Sequence, residues 1–235
     1  MVVWMFQNRL RPIYRFVIKK FLIRVVGLEK IDPDQNYILA MTHQSVMDIP
    51  ISYTILAPLT NLEINLFLSH IFYNIFFPLT VPLDAISINM NKDKNARISK
   101  FNRSQLEKGV EKLRQGNSVL IYPEVGMDGA MASEIAHGET GPVRLAIRTR
   151  TPIILIGVKG TNHAYSFTIN SDNPLKHKPE IPVEITIGNE ICYKNYTDPE
   201  LEIYSMDIRS TFRDLTEELL VKLSHLSRLP HIGTV

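Results

Sequence analysis

Tyr37-Ile38-Leu39-Ala40-Met41-Thr42-His43-Gln44-Ser45-Val46-Met47-Asp48 is the stretch whose reading decides the fold class of this chain. Its first five residues are apolar without alternation, which predicts a buried strand. A polar loop follows, and the apolar residues beyond Asp48 read as a helix. Outward from there the same unit recurs. Ile86 to Ile88 is a short strand candidate leading into the polar loop Asn89 to Asn95. Residues 97–114 read as a helix with Phe101, Leu106, Val110 and Leu113 on one side and Gly116 as its stop. Val119 to Tyr122 is a strand that ends at Pro123-Glu124, a helix is expected over 139–149, and Ile153 to Val158 is a strong central strand. Val183 to Ile187 alternates as a strand. Residues 206–227 form the cleanest amphipathic helix, with Ile208, Phe212, Leu215, Leu219, Leu223 and Leu226 inward. Strands alternating with helices predict an α/β fold: one domain with a mixed, largely parallel sheet flanked by helices, plus an N-terminal amphipathic helical segment.

Composition narrows the function classes. The chain has 235 residues, 45% of them apolar, with 26 Lys+Arg against 24 Asp+Glu for a net charge of +2. Such a balance fits a folded globular protein and argues against a whole-chain nucleic-acid binder. The single cysteine, Cys192, excludes an internal disulfide framework and a Cys-based zinc site. It also favours a cytosolic or cytosol-facing location.

The small total conceals an asymmetry. Residues 1–24 carry Arg9, Arg11, Arg15, Lys19, Lys20 and Arg24 with no acid, which leaves the remainder at -4. Pro12 suits a helix start, and Tyr14, Val17, Phe21 and Val25 recur on one face while most bases fall elsewhere. An amphipathic basic helix over residues 1–26 suits an anionic membrane surface, with the globular domain in 27–235. At about 1 kcal/mol per base, six bases contribute about 6 kcal/mol at most. The alternative is a basic helix that packs its apolar face on the domain. A second stretch, Leu66 to Leu83, is uncharged but holds Pro78 and Pro82, so a buried helix-plus-loop or a segment dipping into the interface is expected rather than a span.

The candidate chemistry sits at strand ends, where α/β folds place their sites. A histidine acting as a base needs an acid on its other ring nitrogen, and Asp48, entering the first helical turn, lies within reach of His43. Glu124 brings a third polar group after a different buried strand. His-x4-Asp alone is a weak signal, and taken by itself it favours a hydrogen-bonded loop histidine. His137 is a further loop candidate. No compact zinc-ligand motif such as HExxH links these residues, so no metal is expected.

The ordered set His43-Gln44-Ser45-Val46-Met47-Asp48, then Tyr122-Pro123-Glu124, then Pro152-Ile153-Ile154-Leu155-Ile156 resembles the glycerolipid acyltransferase family, which includes 1-acylglycerol-3-phosphate acyltransferases. Leu113-Arg114-Gln115-Gly116, the stretch Gly141 to Ile147, and the strand Val183 to Gly188 add to the likeness over residues 27–226. The resemblance implies transfer of a fatty acyl group from acyl-CoA or acyl carrier protein, as co-substrate, to a hydroxyl of a lysophospholipid or related lipid acceptor. No other cofactor is implied. It casts His43 as general base, Asp48 as its orienting partner, and Glu124 as an acceptor-side group, with Gly126 and Ser45 on the substrate-binding side; Lys92, Lys94 or Arg97 of the neighbouring loop are the substitutes for missing phosphate-binding cations, or else solvated surface charges. It further implies membrane association at the cytoplasmic face, with lipid as partner and no role for nucleic acid. Direct attack without an acyl-enzyme agrees with the lack of a Gly-x-Ser-x-Gly elbow.

Departures from the family pattern matter as much. Thr42 replaces the usual Asn, and Met90 and the Met127 region stand where phosphate-binding arginines belong. A phosphate monoester is best held by guanidinium forks or clustered cations. The alternatives are therefore an acceptor with a different head group, a non-catalytic lipid-binding relative, or a thioester hydrolase.

Overall fold

The computed structural model describes residues 23–51, 56–75, 80, 81, 83–89, 96–124, 134, 135, 137–167, 175–178, 180–193, 196 and 209–231. Its strands are β1 (Ile23–Val26), β2 (Ile38–Met41), β3 (Ile64–Ser69), β4 (Ile86–Ile88), β5 (Ser118–Ile121), β6 (Ile153–Lys159), β7 (Tyr165–Phe167), β8 (Leu175–His177) and β9 (Val183–Ile191). Its helices are α1 (Asp48–Ile51), α2 (Ala57–Thr60), α3 (His70–Ile75), α4 (Ala96–Arg114), α5 (Gly141–Thr149), α6 (Thr161–Ala164) and α7 (Arg209–Ser227). Among the described residues, seven strands form one sheet in the order β1-β9-β6-β2-β5-β3-β4, and β7 pairs with β8 separately.

The sheet is mostly parallel because its five strands β6, β2, β5, β3 and β4 all run the same way. Only the β6–β9 pair is antiparallel, and β1 follows β9 in parallel. The unbroken apolar runs have a direct cause. Ile38 and Ala40 of β2 join one core cluster with α4, α5 and α7, while Leu39 and Met41 join another on the opposite face. A strand covered on both sides has no solvent face to supply polar residues. Fully burying each Leu or Ile side chain contributes about 1.5–3 kcal/mol, so this central layer dominates stability. Helix α7 presses closely on the sheet. A Cβ added at Gly157 of β6 would lie 2.6 Å from the backbone of Leu226 and Ser227, so only glycine permits that approach.

The topology places five strand carboxyl ends on one edge. Ala40 pairs with Ile121, so the same register continued three residues sets His43 beside Glu124. Neighbouring strands are about 4.8 Å apart, and the loops after β2 and β5 therefore share one site. Strand β1 begins at this same edge, because Ile23 pairs with Val183 and the adjacent Glu184 pairs with Lys159 at the carboxyl end of β6.

The structure departs from the sequence reading in two places. Ile23–Val26, expected as the end of the N-terminal helix, is strand β1, with Ile23 buried and Arg24 exposed. The periodicity fitted a helix, but pairing with β9 satisfies the backbone instead. The remainder of that segment, residues 1–22, lies outside the described residues. Leu66 belongs to β3, buried through Leu68, rather than to a helix, and α3 starts only at His70. A short apolar run is ambiguous between buried strand and buried helix, and here the gap between β5 and β4 decided. Among the described residues, no helix is long and apolar enough to cross a membrane.

Candidate active site

The loop between β2 and α1 folds around the Asp48 carboxylate. Asp48 Oδ2 accepts the backbone N–H groups of Gln44 and Ser45, both at 2.7 Å. The Ser45 Oγ accepts the N–H of Met47 at 3.2 Å, and the Ser45 carbonyl accepts that of Asp48 at 3.0 Å. An acid three residues after a serine, reaching back to that serine's own N–H, is half of a capping box. Ser45-x-x-Asp48 is thus a helix-start signal legible in the sequence. It gives both residues a structural reason for their spacing, and Ser45 Oγ is engaged with backbone.

The His43 Nδ1 lies 3.3 Å from the same Oδ2. The same oxygen thus meets two backbone donors and the histidine ring. Asp48 is fully buried, whereas the His43 side chain keeps 17% of its surface exposed. With Nδ1 turned to the acid, Nε2 is the ring nitrogen that remains to take up a proton. The ring's orientation has a second support that the sequence reading did not single out. Tyr122 stacks on it, with centroids 4.4 Å apart and planes 28° from parallel. The signal was available, since Tyr122 ends the strand beside His43.

Beneath the loop, Thr42 is buried and its Oγ1 accepts the Val158 N–H at 2.7 Å. The threonine thus clamps the end of β2 to β6.

Glu124 follows β5. Its backbone bridges Gly138 in antiparallel fashion, and the Glu139 N–H donates to the Pro123 carbonyl at 2.8 Å. Its Oε1 is shut from solvent with no hydrogen-bond partner among the described residues. Burial pushes the carboxyl pKa up to about 8, the backbone N–H of His43 opposes that by hydrogen bonding, and the Asp48 charge adds to the rise. At neutral pH Glu124 is therefore mostly the neutral acid, able to donate as well as accept.

The structure thus brings His43, Ser45, Asp48 and Glu124 to one edge of the sheet. His137 is exposed in the turn before Gly138. Lys92, Gly126, Met90 and Met127 lie outside the described residues. Among the described residues, no three His, Cys, Asp or Glu side chains gather as a metal site.

A model of the family described as Acyltransferase matches residues 22–159. Among solved structures, the chain is similar to the crystal structure of the 1-acyl-sn-glycerophosphate (LPA) acyltransferase PlsC from Thermotoga maritima. The TM-score is 0.61 at 17% identity, over 93% of this chain and 79% of that one, which is a likeness of fold. No curated protein matches the sequence. Since the matched span takes in more than half of the chain and holds both the His43–Asp48 loop and the Glu124 strand end, the protein belongs to the acyltransferase family.

Proposed function

We propose that the protein is a membrane-associated O-acyltransferase that moves a fatty acyl group from a thioester to a lipid hydroxyl. The observation that carries this reading is the joining of the two strand ends: His43 faces Asp48 through Nδ1, and its own backbone N–H holds Glu124. His43 Nε2 takes the proton from the acceptor hydroxyl as its oxygen attacks the thioester carbonyl. The tetrahedral adduct then collapses, the C–S bond breaks, and the imidazolium returns the proton to the departing thiolate. Asp48 keeps Nδ1 protonated and stabilises the imidazolium, a form of base catalysis worth about 10²–10⁴-fold. Glu124, as a neutral acid, offers both a donor and an acceptor to the lipid without adding a negative charge near an anionic head group.

The donor in this reading is acyl-CoA or acyl carrier protein, and the acceptor is a lysophospholipid or related lipid. Met90 and Met127 in place of arginines favour a head group other than a bare phosphate monoester. Membrane contact is assigned to the basic, apolar segment 1–22, and the place of Ile23 at the site's edge of the sheet supports it.

The test is thiol release from acyl-CoA by purified protein, with and without lysophosphatidate, lysophosphatidylcholine or monoacylglycerol. Release that requires an acceptor, with no advantage for lysophosphatidate, is expected. Equal release without acceptor makes the protein a hydrolase, and no release by wild type makes it a lipid-binding relative.

A further inference from the structure

Glu124 is held on its far side by a chain of contacts that ends at the C-terminal helix. The bridge partner of Glu124 is Gly138, three residues beyond Ile135, and Ile135 is completely buried. Ile135 is itself bridged in parallel to His231, and its N–H donates to the Pro230 carbonyl at 2.8 Å. Arg228, at φ 55, turns the chain out of α7 so that residues 229–231 come back to make this pairing.

The His231 side chain completes the arrangement. Its Nδ1 lies 3.1 Å from the Ile135 carbonyl, and its Nε2 lies 2.5 Å from Glu217 Oε1 of α7. Only 10% of the side chain is exposed. A carbonyl oxygen accepts and never donates, so Nδ1 carries a hydrogen. A proton also lies between Nε2 and the carboxyl oxygen, since two bare acceptors do not approach to that distance. Both ring nitrogens are therefore committed, one to helix α7 and one to the backbone of Ile135.

We propose that His231, anchored by Glu217, is a positioning residue for the acceptor side of the site. It fixes Ile135, and Ile135 stands three residues before Gly138, whose bridge sets the Glu124 strand end. The His43–Asp48 loop, tied by its own short-range bonds, is independent of it. The proposal rests on the reading of Glu124 as an acceptor-side group.

The experiment uses the full chain carrying His231→Phe, which keeps an aromatic ring and removes both hydrogen bonds. Acceptor KM is expected to rise about tenfold with donor KM within about twofold of wild type. Amide hydrogen exchange should quicken at Ile135 and Glu139 and stay unchanged over residues 44–48. Glu217→Gln, whose amide keeps a hydrogen-bonding group toward Nε2, should recover most of the acceptor affinity that Glu217→Ala loses. The double variant His231→Phe/Glu217→Ala should be no worse than either single one. Unchanged acceptor KM and unchanged exchange at Ile135 would overturn the proposal. So would an equal rise in both KM values with faster exchange throughout, the mark of a merely structural role. If His231→Phe does not fold, Glu217→Ala is judged on the same readouts. If the wild type transfers no acyl group, the functional reading has failed, and the exchange arm alone decides whether His231 holds Ile135–Glu139.

Discussion

The two halves of the site are held in opposite ways. The His43–Asp48 half is tied within six residues: the buried Asp48 side chain accepts the N–H groups of Gln44 and Ser45 and meets the His43 ring on the same oxygen. The Glu124 half has no such local tie. Its position depends on Gly138, Glu139 and the backbone N–H of His43, all brought in from elsewhere in the fold. The difference teaches which properties are robust. A locally tied group survives distant changes, whereas the protonation of a group placed by tertiary packing changes with whatever surrounds it.

The largest effect should come from the local half. His43→Ala is expected to lower acyl transfer by about 10³-fold while the protein melts within about 2 °C of wild type, because the Gln44 and Ser45 amides still hold Asp48 without the ring. Thiol release and a thermal melt on the same sample check both parts. At Asp48 the two roles separate. Asp48→Asn keeps an oxygen for the Gln44 and Ser45 amides, so transfer should drop about 10²-fold with little loss of stability. Asp48→Ala leaves those amides unpaired and should also cost about 2 kcal/mol in a denaturant titration.

The tertiary half is probed through pH. In the native protein Glu124 holds its proton up to about pH 8, while in the unfolded chain it releases it near the ordinary 4.5. Between those values the unfolded state binds fewer protons, so this residue makes stability fall as pH rises and adds no further slope above about 8. Wild type minus Glu124→Gln, followed by denaturant midpoint across pH 5 to 9, should show that slope. A flat difference would mean that Glu124 is solvated. The smallest effect is expected from Gly138→Ala. Its new Cβ would meet Leu220 Cδ1 at 2.8 Å, a side-chain end that can shift, and the Pro123 carbonyl at 3.2 Å. A loss of about 1 kcal/mol is expected, together with a rise of a few-fold in acceptor KM that the His43 loop does not share.

Much of the fold was legible where pattern and length agreed. The expected helix over 97–114 is Ala96–Arg114, and the expected strand over 153–158 is Ile153–Lys159. The misreadings share one physical cause. Ile23–Val26 and Ile64–Ser69 are short apolar segments whose periodicity suits either regular structure, and their partners β9 and β5 lie far away in the sequence. In the site, Ser45-x-x-Asp48 carried its own explanation as a helix start, but that signal was overshadowed by the histidine. The stacking of Tyr122 on His43 became legible only once β2 and β5 were known to be neighbours, and the His231–Glu217 strap had no local signal to carry it.

The sequence by itself therefore determined the α/β class and the fact that a histidine, an acid and a second acid stand at strand ends. Those features depend on runs, caps and spacings that act over a few residues. Only the tertiary structure decided that β2 and β5 are neighbours, that Glu124 meets the backbone of His43, and that its carboxyl is neutral near pH 7. Strand order and burial are set by how distant segments fill one core, and a carboxyl group titrates according to the water and charges that packing leaves around it.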